Sequence, residues 1–351
     1  MGTLDTKNIA LIIPDFDFGG EEKRVVFFAN NYTHYFNKVV LLSPSGKSLP
    51  YLDPKVKHIE INIRKISTIR KVLNVLKEEK ISFFQGHKRA TMPFLLLAEK
   101  FLPLVSVFNF DNIYLKHNYA CSFVTPKHVV YLSDVVKDFY VPYYKNRRNT
   151  TINMGGDFYS ILPEQEIQQT KAQLGIKDEF VLLSLGRLSE QKNQPLLIDA
   201  LHTLKDKNFV CLIAGSGPLE EPLRQMVAHY GLEEKIKFLG HRSDIPNLLN
   251  VAHVLIQSSV FEGFPNVFIE AASVGLPIIS TNVGSSKTLV RENGLLVTSN
   301  KVDEMALAIS KMQDEYPKFK ENALLLRESD YLKQFHKTKM LENYIAYYRS
   351  L

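Results

Sequence analysis

The chain has 351 residues, which at roughly 100–200 residues per domain favours two domains. Apolar residues make up 45% and charged residues 23%, so the chain can bury a core and is not a disordered segment. Two cysteines, Cys121 and Cys211, are too few for a disulfide scaffold or a cysteine-rich zinc site.

The formal net charge of +6 is unevenly distributed along the chain. Residues 1–155 hold 22 Lys and Arg against 13 Asp and Glu, whereas residues 156–351 hold 21 against 24. The basic residues of the first half cluster at Arg64-Lys65, Arg70-Lys71, Lys88-Arg89 and 145–148. A basic half beside a slightly acidic half indicates an anionic partner. Nucleic acid is not expected, because no recognisable module interleaves these charges with aromatic residues.

No segment of the sequence is predicted to cross a membrane. The longest strongly apolar stretch, 101–110, has ten residues, whereas about 20 are needed to span a bilayer. No signal-peptide pattern stands at the N-terminus, where Asp5 precedes only a short apolar run. We expect a cytoplasmic protein, peripheral on the inner face of the membrane if the helix predicted at 68–79 and its basic flanks contact anionic lipid.

The order of the predicted elements indicates two doubly wound α/β units. In the first half, strands are predicted at 9–13, 38–43, 81–84, 104–108 and 128–132, and helices at 21–31 and 68–79. After a break near 155–169 the pattern restarts, with strands at 180–185, 209–214, 236–239, 254–257 and 277–280, and helices at 194–205, 219–230, 266–274 and 329–350. This alternation predicts two Rossmann-like domains with parallel sheets, facing each other across a cleft that binds ligands at the carboxyl ends of the strands.

Several short motifs follow predicted strands. Gly19-Gly20 stands between the first strand and a helix, where the backbone can approach an anion, although a tight turn explains it equally well. Arg187, after Gly186, and Lys192 place two cations on one loop, which would clamp a diphosphate or simply be an exposed polar loop. Gly215, within the turn 214–218, would shape the wall of the cleft.

The segment 261–270 is the most informative. Glu262 lies in a turn with Gly263 and Pro265, and Glu270 lies eight residues further on, in the following helix. Carboxylates accept hydrogen bonds from sugar and ribose hydroxyl groups, and the amides of Asn266 and Val267 would open the helix toward a phosphate. Two solvated glutamates are the alternative.

Taken in order, these motifs resemble those of the family-4 retaining glycosyltransferases of GT-B fold, of the bacterial surface-polysaccharide or lipopolysaccharide type. The resemblance covers nearly the whole chain and rests on Gly19-Gly20, Gly186-Arg187 with Lys192, the turn 214–218, 238–240, and Glu262 with Glu270. It implies a first domain at 1–158 that binds the acceptor, a second at 170–328 that binds the nucleotide sugar, and a C-terminal helix, 329–351, that packs back on the first.

The resemblance also implies roles for individual residues. Arg187 and Lys192 would stabilise the departing diphosphate, Glu262 would hold the donor sugar and Glu270 the ribose. The further donor contacts would come from Gly19, Gly20, Gly215, Gly240, His241, Arg242, Gly263, Phe264, Pro265, Asn266 and Val267. No cofactor or metal is expected, since the cations would replace a metal.

On the acceptor side the sequence departs from the family pattern. Similar enzymes often carry a histidine after the strand predicted at 104–108, where this chain has Asn109, which can hydrogen-bond a sugar hydroxyl but cannot act as a base. Contacts to the acceptor are expected from His87, Lys88, Arg89 and Asp111.

These features predict a retaining, metal-independent transferase. It would move a hexose-type sugar from a nucleotide diphosphate sugar, with UDP favoured, to a glycan or lipid-linked glycan. The alternatives are a catalytically inactive nucleotide-sugar-binding homologue or partner subunit, and a sugar-nucleotide epimerase.

Overall fold

The computed structural model describes residues 3–17, 19–63, 65, 67–114 and 116–351. Arg64, part of one predicted basic cluster, lies outside the described residues. The chain forms two compact units. Unit 1 comprises Met1–Met154 and Thr338–Leu351, and unit 2 is the continuous segment Gly155–Lys337.

Unit 1 contains a seven-stranded, wholly parallel sheet in the order β3-β2-β1-β4-β5-β6-β7. The strands are β1 (Asn8–Ile12), β2 (Lys38–Ser43), β3 (Val56–Glu60), β4 (Phe83–His87), β5 (Val105–Phe110), β6 (His128–Tyr131) and β7 (Arg148–Thr151). The helices between them are α1 (Gly20–Tyr32), α2 (Thr68–Glu78), α3 (Met92–Phe101), α4 (Asn118–Val124) and α5 (Asp134–Tyr140).

Unit 2 contains a six-stranded parallel sheet in the order β10-β9-β8-β11-β12-β13. Its strands are β8 (Phe180–Leu185), β9 (Phe209–Ala214), β10 (Ile236–Gly240), β11 (Val254–Gln257), β12 (Ile278–Thr281) and β13 (Gly294–Val297). Its helices are α6 (Glu164–Gln173), α7 (Gln194–Thr203), α8 (Glu220–His229), α9 (Ile245–Val251), α10 (Asn266–Ser273), α11 (Ser286–Leu289), α12 (Val302–Asp314), α13 (Tyr316–Glu328) and α14 (Asp330–Lys333).

The two sheets confirm the predicted pair of Rossmann-like domains. In each sheet the strand order reverses next to one central strand, because β1 pairs with both β2 and β4 and β8 pairs with both β9 and β11. In open parallel sheets, ligands bind at the carboxyl ends of the strands at such a reversal. The fold therefore marks one position in each unit as the place to look for function.

The amphipathic pattern predicted for 68–79 forms helix α2, but its apolar side is not exposed. Val72, Val75 and Leu76 lie within the hydrophobic core of unit 1, while the side chains of Arg70 and Lys71 are exposed. The apolar face therefore packs against the sheet, and only the basic face of α2 meets solvent. Among the described residues, no helix is both long enough and apolar enough to cross a membrane.

The C-terminal segment was predicted as one charged helix over 329–350, and this prediction is wrong. Helix α14 ends at Lys333, and a separate helix, α15 (Lys337–Ser350), follows. Between them the amide of Gly156 donates to the carbonyl of Phe335 (2.9 Å), and the amide of Lys337 donates to the carbonyl of Gly156 (3.1 Å). These strand-like bonds to Gly156 replace helical bonds, so the helix is interrupted there.

Candidate functional site

The loops after β8 and β11 stand side by side at the strand reversal of unit 2. Glycine makes the close packing around β8 possible. Gly215 has φ of 148°, and a Cβ atom there would lie 1.9 Å from the carbonyl oxygen of Gly186. A larger residue at 215 would therefore separate the loops after β8 and β9. This contact gives Gly215 a packing role at the edge of the sheet, in line with the predicted turn.

An ion pair joins the two central loops. Lys192 Nζ lies 2.6 Å from Glu262 Oε1. The same carboxylate oxygen accepts hydrogen bonds from Ser259 Oγ (2.7 Å) and Gln257 Nε2 (3.1 Å). Three donors on one oxygen fix the side chain of Glu262.

The backbone around this ion pair is held equally firmly. Ser258 Oγ donates to the carbonyl of Lys192 (2.9 Å), and the amide of Ser285 donates to the carbonyl of Gly263 (3.1 Å). A Cβ atom on Gly284 would lie 1.9 Å from the carbonyl oxygen of Glu262. The turn that carries Glu262 is therefore tied to three neighbouring loops and is preorganised.

Arg187 differs from Lys192 in its surroundings. Its side chain is exposed, and its guanidinium pairs with no carboxylate among the residues that the structure describes. Lys192 is partly enclosed, with 20% of its side chain exposed, and its charge is balanced by Glu262. The loop after β8 thus presents one unpaired cation to solvent and one cation that an incoming anion would have to draw away from a carboxylate.

Helix α10 carries the other predicted donor contacts. Phe264 is buried, with its ring 5.6 Å from that of Phe335, and the helix begins at Asn266, directly after Pro265. The Oδ1 atom of Asn266 is buried and has no hydrogen-bond partner in the described part of the chain. Glu270 follows one turn later and is half-buried. Its negative charge adds to burial in raising the pKa of Tyr159.

The residues after β10 were predicted to border the nucleobase. Gly240 has φ of 64°, which a glycine adopts without strain. His241 is exposed. Arg242 forms a bidentate pair with Asp244, with Nε–Oδ1 at 2.7 Å and Nη2–Oδ2 at 2.5 Å. This pair lowers the pKa of Asp244 and makes the guanidinium a fixed, planar surface.

In unit 1 the strand reversal carries a cluster of buried ionisable groups. Arg24 Nη2 lies 2.6 Å from Asp111 Oδ2, and His87 Nδ1 lies 3.2 Å from the same oxygen. Glu21 joins them, and one ligand-type atom of each of Glu21, His87 and Asp111 lies within 4.8 Å of the others. These residues come from the first turn of α1, the last position of β4 and the position after β5.

The protonation state of His87 follows from its partners. Gln85 Oε1 accepts hydrogen bonds from Tyr32 (2.9 Å) and Tyr348 (2.7 Å), which orients the amide so that its Nε2 donates to His87 Nε2 at 2.9 Å. The imidazole therefore carries its proton on Nδ1 and donates it to Asp111. Complete burial, and then the charge of Arg24, lower the pKa of His87 to about 3, so the ring is neutral at physiological pH.

Asn109 lies close to this cluster but is fully engaged. Its Nδ2 donates to the carbonyl of Gly86 (3.2 Å), and its Oδ1 accepts a hydrogen bond from the hydroxyl of Tyr344 (2.7 Å). Only 1% of the residue is exposed. The structure thus gives Asn109 a clear role in joining β5 to α15, and its predicted contact with a sugar hydroxyl stays a prediction.

The remaining predicted residues of unit 1 surround the cluster. Lys88 has φ of 63° and contacts the carboxylates of Asp15 and Glu22, so its charge is balanced within the unit. Arg89 donates to the carbonyls of Lys116 (2.6 Å) and Tyr114 (3.2 Å) and thereby braces the loop after β5.

Gly19 and Gly20 open the first turn of α1. The backbone of Gly19 is extended, and a Cβ atom on it would lie 2.1 Å from Glu22 Oε2, so glycine at 19 leaves room for the carboxylate that pairs with Lys88.

Glu21, His87 and Asp111 are the donor set that a divalent cation would need. Arg24 already supplies a cation at 2.6 Å from Asp111, however, and His87 Nδ1 is used as a hydrogen-bond donor. A metal ion at this position would be repelled by the guanidinium, so the residues do not fit one. That the chain works without a metal stays a prediction.

Sequence reasoning missed several members of both clusters. Gln257 and Ser259 end an apolar strand with polar residues at its carboxyl edge, which is a signal that the motif search did not use. Glu21 and Arg24 are three residues apart on α1 and so share one face, but their burial depends on the sheet above them.

Comparison with known protein families gives a match to most of unit 2. Residues 166–324 match the family described as glycosyl transferases group 1, and this segment lies within unit 2. The matched segment contains Arg187, Lys192, Glu262 and Glu270.

Curated relatives are similar over part of the chain. It is 33% identical over 150 residues to the UDP-Gal:alpha-D-GlcNAc-diphosphoundecaprenol alpha-1,3-galactosyltransferase of Escherichia coli, covering 40% of this chain and 39% of that protein. It is 28% identical over 182 residues to the lipopolysaccharide core biosynthesis mannosyltransferase LpsB of Rhizobium meliloti, covering 48% and 52%. The chain spans about two fifths to half the length of these relatives in the matched regions.

Solved structures match nearly the whole chain. Anabaena Alr3699/HepE in complex with UDP and glucose superposes with a TM-score of 0.87 at 20% identity, over 98% of this chain and 99% of that one. WaaG, a glycosyltransferase involved in lipopolysaccharide biosynthesis, superposes with a TM-score of 0.77 at 16% identity, over 95% and 98%. At these identities the likeness concerns the fold, which is the GT-B type of two Rossmann-like domains.

Proposed function

We propose that the chain is a retaining glycosyltransferase that moves a hexose-type sugar from a nucleotide diphosphate sugar, with UDP favoured, to a glycan or lipid-linked glycan acceptor. The observation that carries the proposal is the fixed Lys192–Glu262 pair beside the exposed Arg187, at the strand reversal of a unit that matches the glycosyl transferase family. UDP is favoured because one structural neighbour holds UDP and glucose and one curated relative is named for UDP-Gal.

The charges of this site suit the departure of a nucleoside diphosphate. As the bond between sugar and phosphate breaks, negative charge grows on the phosphate and positive character on the sugar. Arg187 would bind the diphosphate first, since its guanidinium is exposed and unpaired among the described residues. Lys192 would then move its charge from Glu262 to the leaving oxygen, and Glu262 would be released to accept hydrogen bonds from sugar hydroxyl groups. Because these cations supply the electrostatic stabilisation, the proposed reaction needs no metal.

The acceptor is proposed to approach unit 1, which carries the excess of basic residues. The exposed residues Arg70 and Lys71 on α2 would attract an anionic membrane surface by charge alone, because the apolar side of the helix is buried. This arrangement suits a lipid-linked acceptor and a peripheral cytoplasmic protein. Flotation with anionic vesicles at low salt tests this proposal. Protein that remains at the bottom of the gradient with both neutral and anionic vesicles contradicts it.

Thermal unfolding with UDP, GDP, ADP, CMP and NAD tests the donor site. A nucleotide present at about 100 times its dissociation constant stabilises the folded protein by about 2.7 kcal/mol, so one nucleoside diphosphate should raise the melting temperature and identify the base. If none of the five raises it, the proposed donor site is wrong.

The inactive homologue is distinguished by turnover. A chain that is stabilised by UDP, yet releases no UDP from any nucleotide sugar with or without a broad panel of acceptors, binds the donor without transferring it. Slow release of UDP without acceptor, together with an unaltered sugar nucleotide, would support the transferase and count against an epimerase.

A further inference from the structure

The ionisable cluster of unit 1 contains two carboxyl groups, each with one buried oxygen that no hydrogen-bond donor contacts. Glu21 Oε1 and Asp111 Oδ1 are both buried, and neither has a hydrogen-bond partner in the described part of the chain. The other oxygen of Asp111, Oδ2, is occupied by Arg24 at 2.6 Å and by His87 at 3.2 Å. Burying a carboxylate oxygen without a donor is unfavourable by several kcal/mol, so this arrangement needs an explanation.

The neighbouring cations are already committed elsewhere. Arg24 is paired with Asp111, and its Nη1 points to the sulfur of Met154 at 3.1 Å. Lys88 contacts Asp15 and Glu22 instead of Glu21. Two further titratable groups that face Glu21, His87 from β4 and Tyr114 from the loop after β5, are neutral at physiological pH. Tyr344 from α15, which faces Asp111, is neutral as well. Among the described residues, no cation therefore forms an ion pair with Glu21.

We propose that Glu21 and Asp111 form a carboxyl–carboxylate pair that shares one proton at neutral pH, with the proton held on Glu21. The neutral Glu21 carboxyl donates to Asp111 and fixes the first turn of α1 to the carboxyl edge of β4 and β5. Glu21 is thus a positioning residue, whose ionisation loosens this edge of unit 1. The inference depends on the contacts within unit 1 and not on the proposed function.

The location of the proton follows from the unequal surroundings of the two carboxyl groups. Asp111 forms an ion pair with the guanidinium of Arg24 and accepts a hydrogen bond from the imidazole N–H of His87, so its charge is balanced. Glu21 has neither partner. Burial, followed by the charge of Asp111, raises the pKa of Glu21 to about 8, against the opposing effect of Arg24.

The proposal gives stability an unusual dependence on pH. The carboxyl group of an unfolded chain titrates near 4.5, so between about 4.5 and 8 the folded state binds one proton more than the unfolded state. Stability contributed by this group is therefore complete at low pH, is lost as the pH rises, and changes no further above about 8. The buried His87 has the opposite effect, which fades as the pH rises through 6.5, and His128 and His253, whose pKa values are also lowered, act in the same direction as His87. A comparison of two proteins that share these histidines and differ at Glu21 therefore isolates Glu21 between pH 6.5 and 8.

The test compares the full-length protein with Glu21→Gln, which keeps a neutral donor but cannot ionise. At each pH the protein is first equilibrated in urea. A hydrogen-exchange pulse at one fixed pH then measures the folded fraction on peptides that cover β4 and β5. Relative to Glu21→Gln, the wild type should lose about tenfold in its folding equilibrium constant between pH 6.5 and 7.5. Glu79→Gln, which alters a carboxylate with two lysine partners and a lowered pKa, should keep the wild-type profile.

Parallel profiles for the wild type and Glu21→Gln over this window would overturn the proposal. Infrared spectroscopy of the wild type provides a second test that does not depend on whether the variant folds. A carbonyl band from a protonated carboxyl group should be present at pH 7 and disappear above pH 8, and its absence at pH 7 would likewise overturn the proposal.

Discussion

Both units place ionic groups at the strand reversal of a parallel sheet, but they enclose them to different degrees. In unit 2, Lys192 is 20% exposed and lies on the same loop as the exposed Arg187. In unit 1, the side chains of Arg24 and Asp111 are only 5% and 7% exposed. In the Lys192–Glu262 pair, an incoming phosphate could replace Glu262 as the partner of the lysine. The Arg24–Asp111 pair is too enclosed for a phosphate to reach it. The same fold position thus carries a more accessible ion pair in unit 2 and a more enclosed one in unit 1.

The largest effect is expected from breaking the enclosed Arg24–Asp111 ion pair. Arg24→Met leaves Asp111 as a buried charge without its cation, and we expect it to reduce the free energy of unfolding of unit 1 by about 3–5 kcal/mol. Urea unfolding measures this change. Lys333→Met, which breaks the exposed pair with Asp330, is the control and should leave stability nearly unchanged. Equal small losses in both variants would mean that the Arg24–Asp111 pair is not enclosed in solution.

The next largest effect is expected for the Lys192–Glu262 ion pair and concerns the rate of turnover. Lys192→Ala removes the cation proposed to stabilise the departing diphosphate, so we expect turnover to fall roughly 100- to 1,000-fold. Its stability should fall less than that of Arg24→Met, since Glu262 keeps Ser259 and Gln257 as donors. Lys207→Ala, which removes an ion pair with Asp314 in the same unit, should leave turnover unchanged. If donor affinity falls as far as the rate does, Lys192 binds the donor without acting on the leaving group.

A smaller effect is expected at Glu270, the proposed ribose contact. Glu270→Ala should weaken UDP binding by about 1.5–3 kcal/mol, the range for a hydrogen bond to a charged group. Isothermal titration with UDP measures it. Glu220→Ala removes an exposed carboxylate that pairs with Arg224 in the same unit, and its UDP affinity should match the wild type. Unchanged affinity in Glu270→Ala would remove the residue from the donor site.

The sequence predicts the strands of this fold best where they are central and apolar. The bounds of β2, β8, β9 and β11 agree with the predicted ranges, because each is a continuous run of buried residues. The edge strands β3 and β7 were missed, since VKHIE and RNTT are polar and largely exposed and so lack an apolar signal. Their pairing depends on the neighbouring strand, which local sequence does not reveal.

The candidate sites likewise combine features that local sequence reveals with contacts that form only in the folded chain. The glycines and charged residues that follow strands pointed to the strand reversal of unit 2, because turn chemistry is local. The partners of Glu262 and the burial of Glu21 depend on chain segments that meet only in the folded sheet. Asn109 was selected by its position along the chain, whereas the structure shows its two polar atoms occupied by Gly86 and Tyr344.

The division of unit 1 into two chain segments has a consequence for biosynthesis. Unit 2 is continuous from Gly155 to Lys337 and can assemble as soon as it leaves the ribosome, whereas unit 1 also needs Thr338–Leu351, which is synthesised after unit 2. Until then, Asn109 and Gln85 lack the hydroxyl groups of Tyr344 and Tyr348 that satisfy them. The nascent protein therefore carries a finished second unit before the first can close, and in that interval the exposed sheet of unit 1 is the part that chaperones would need to protect.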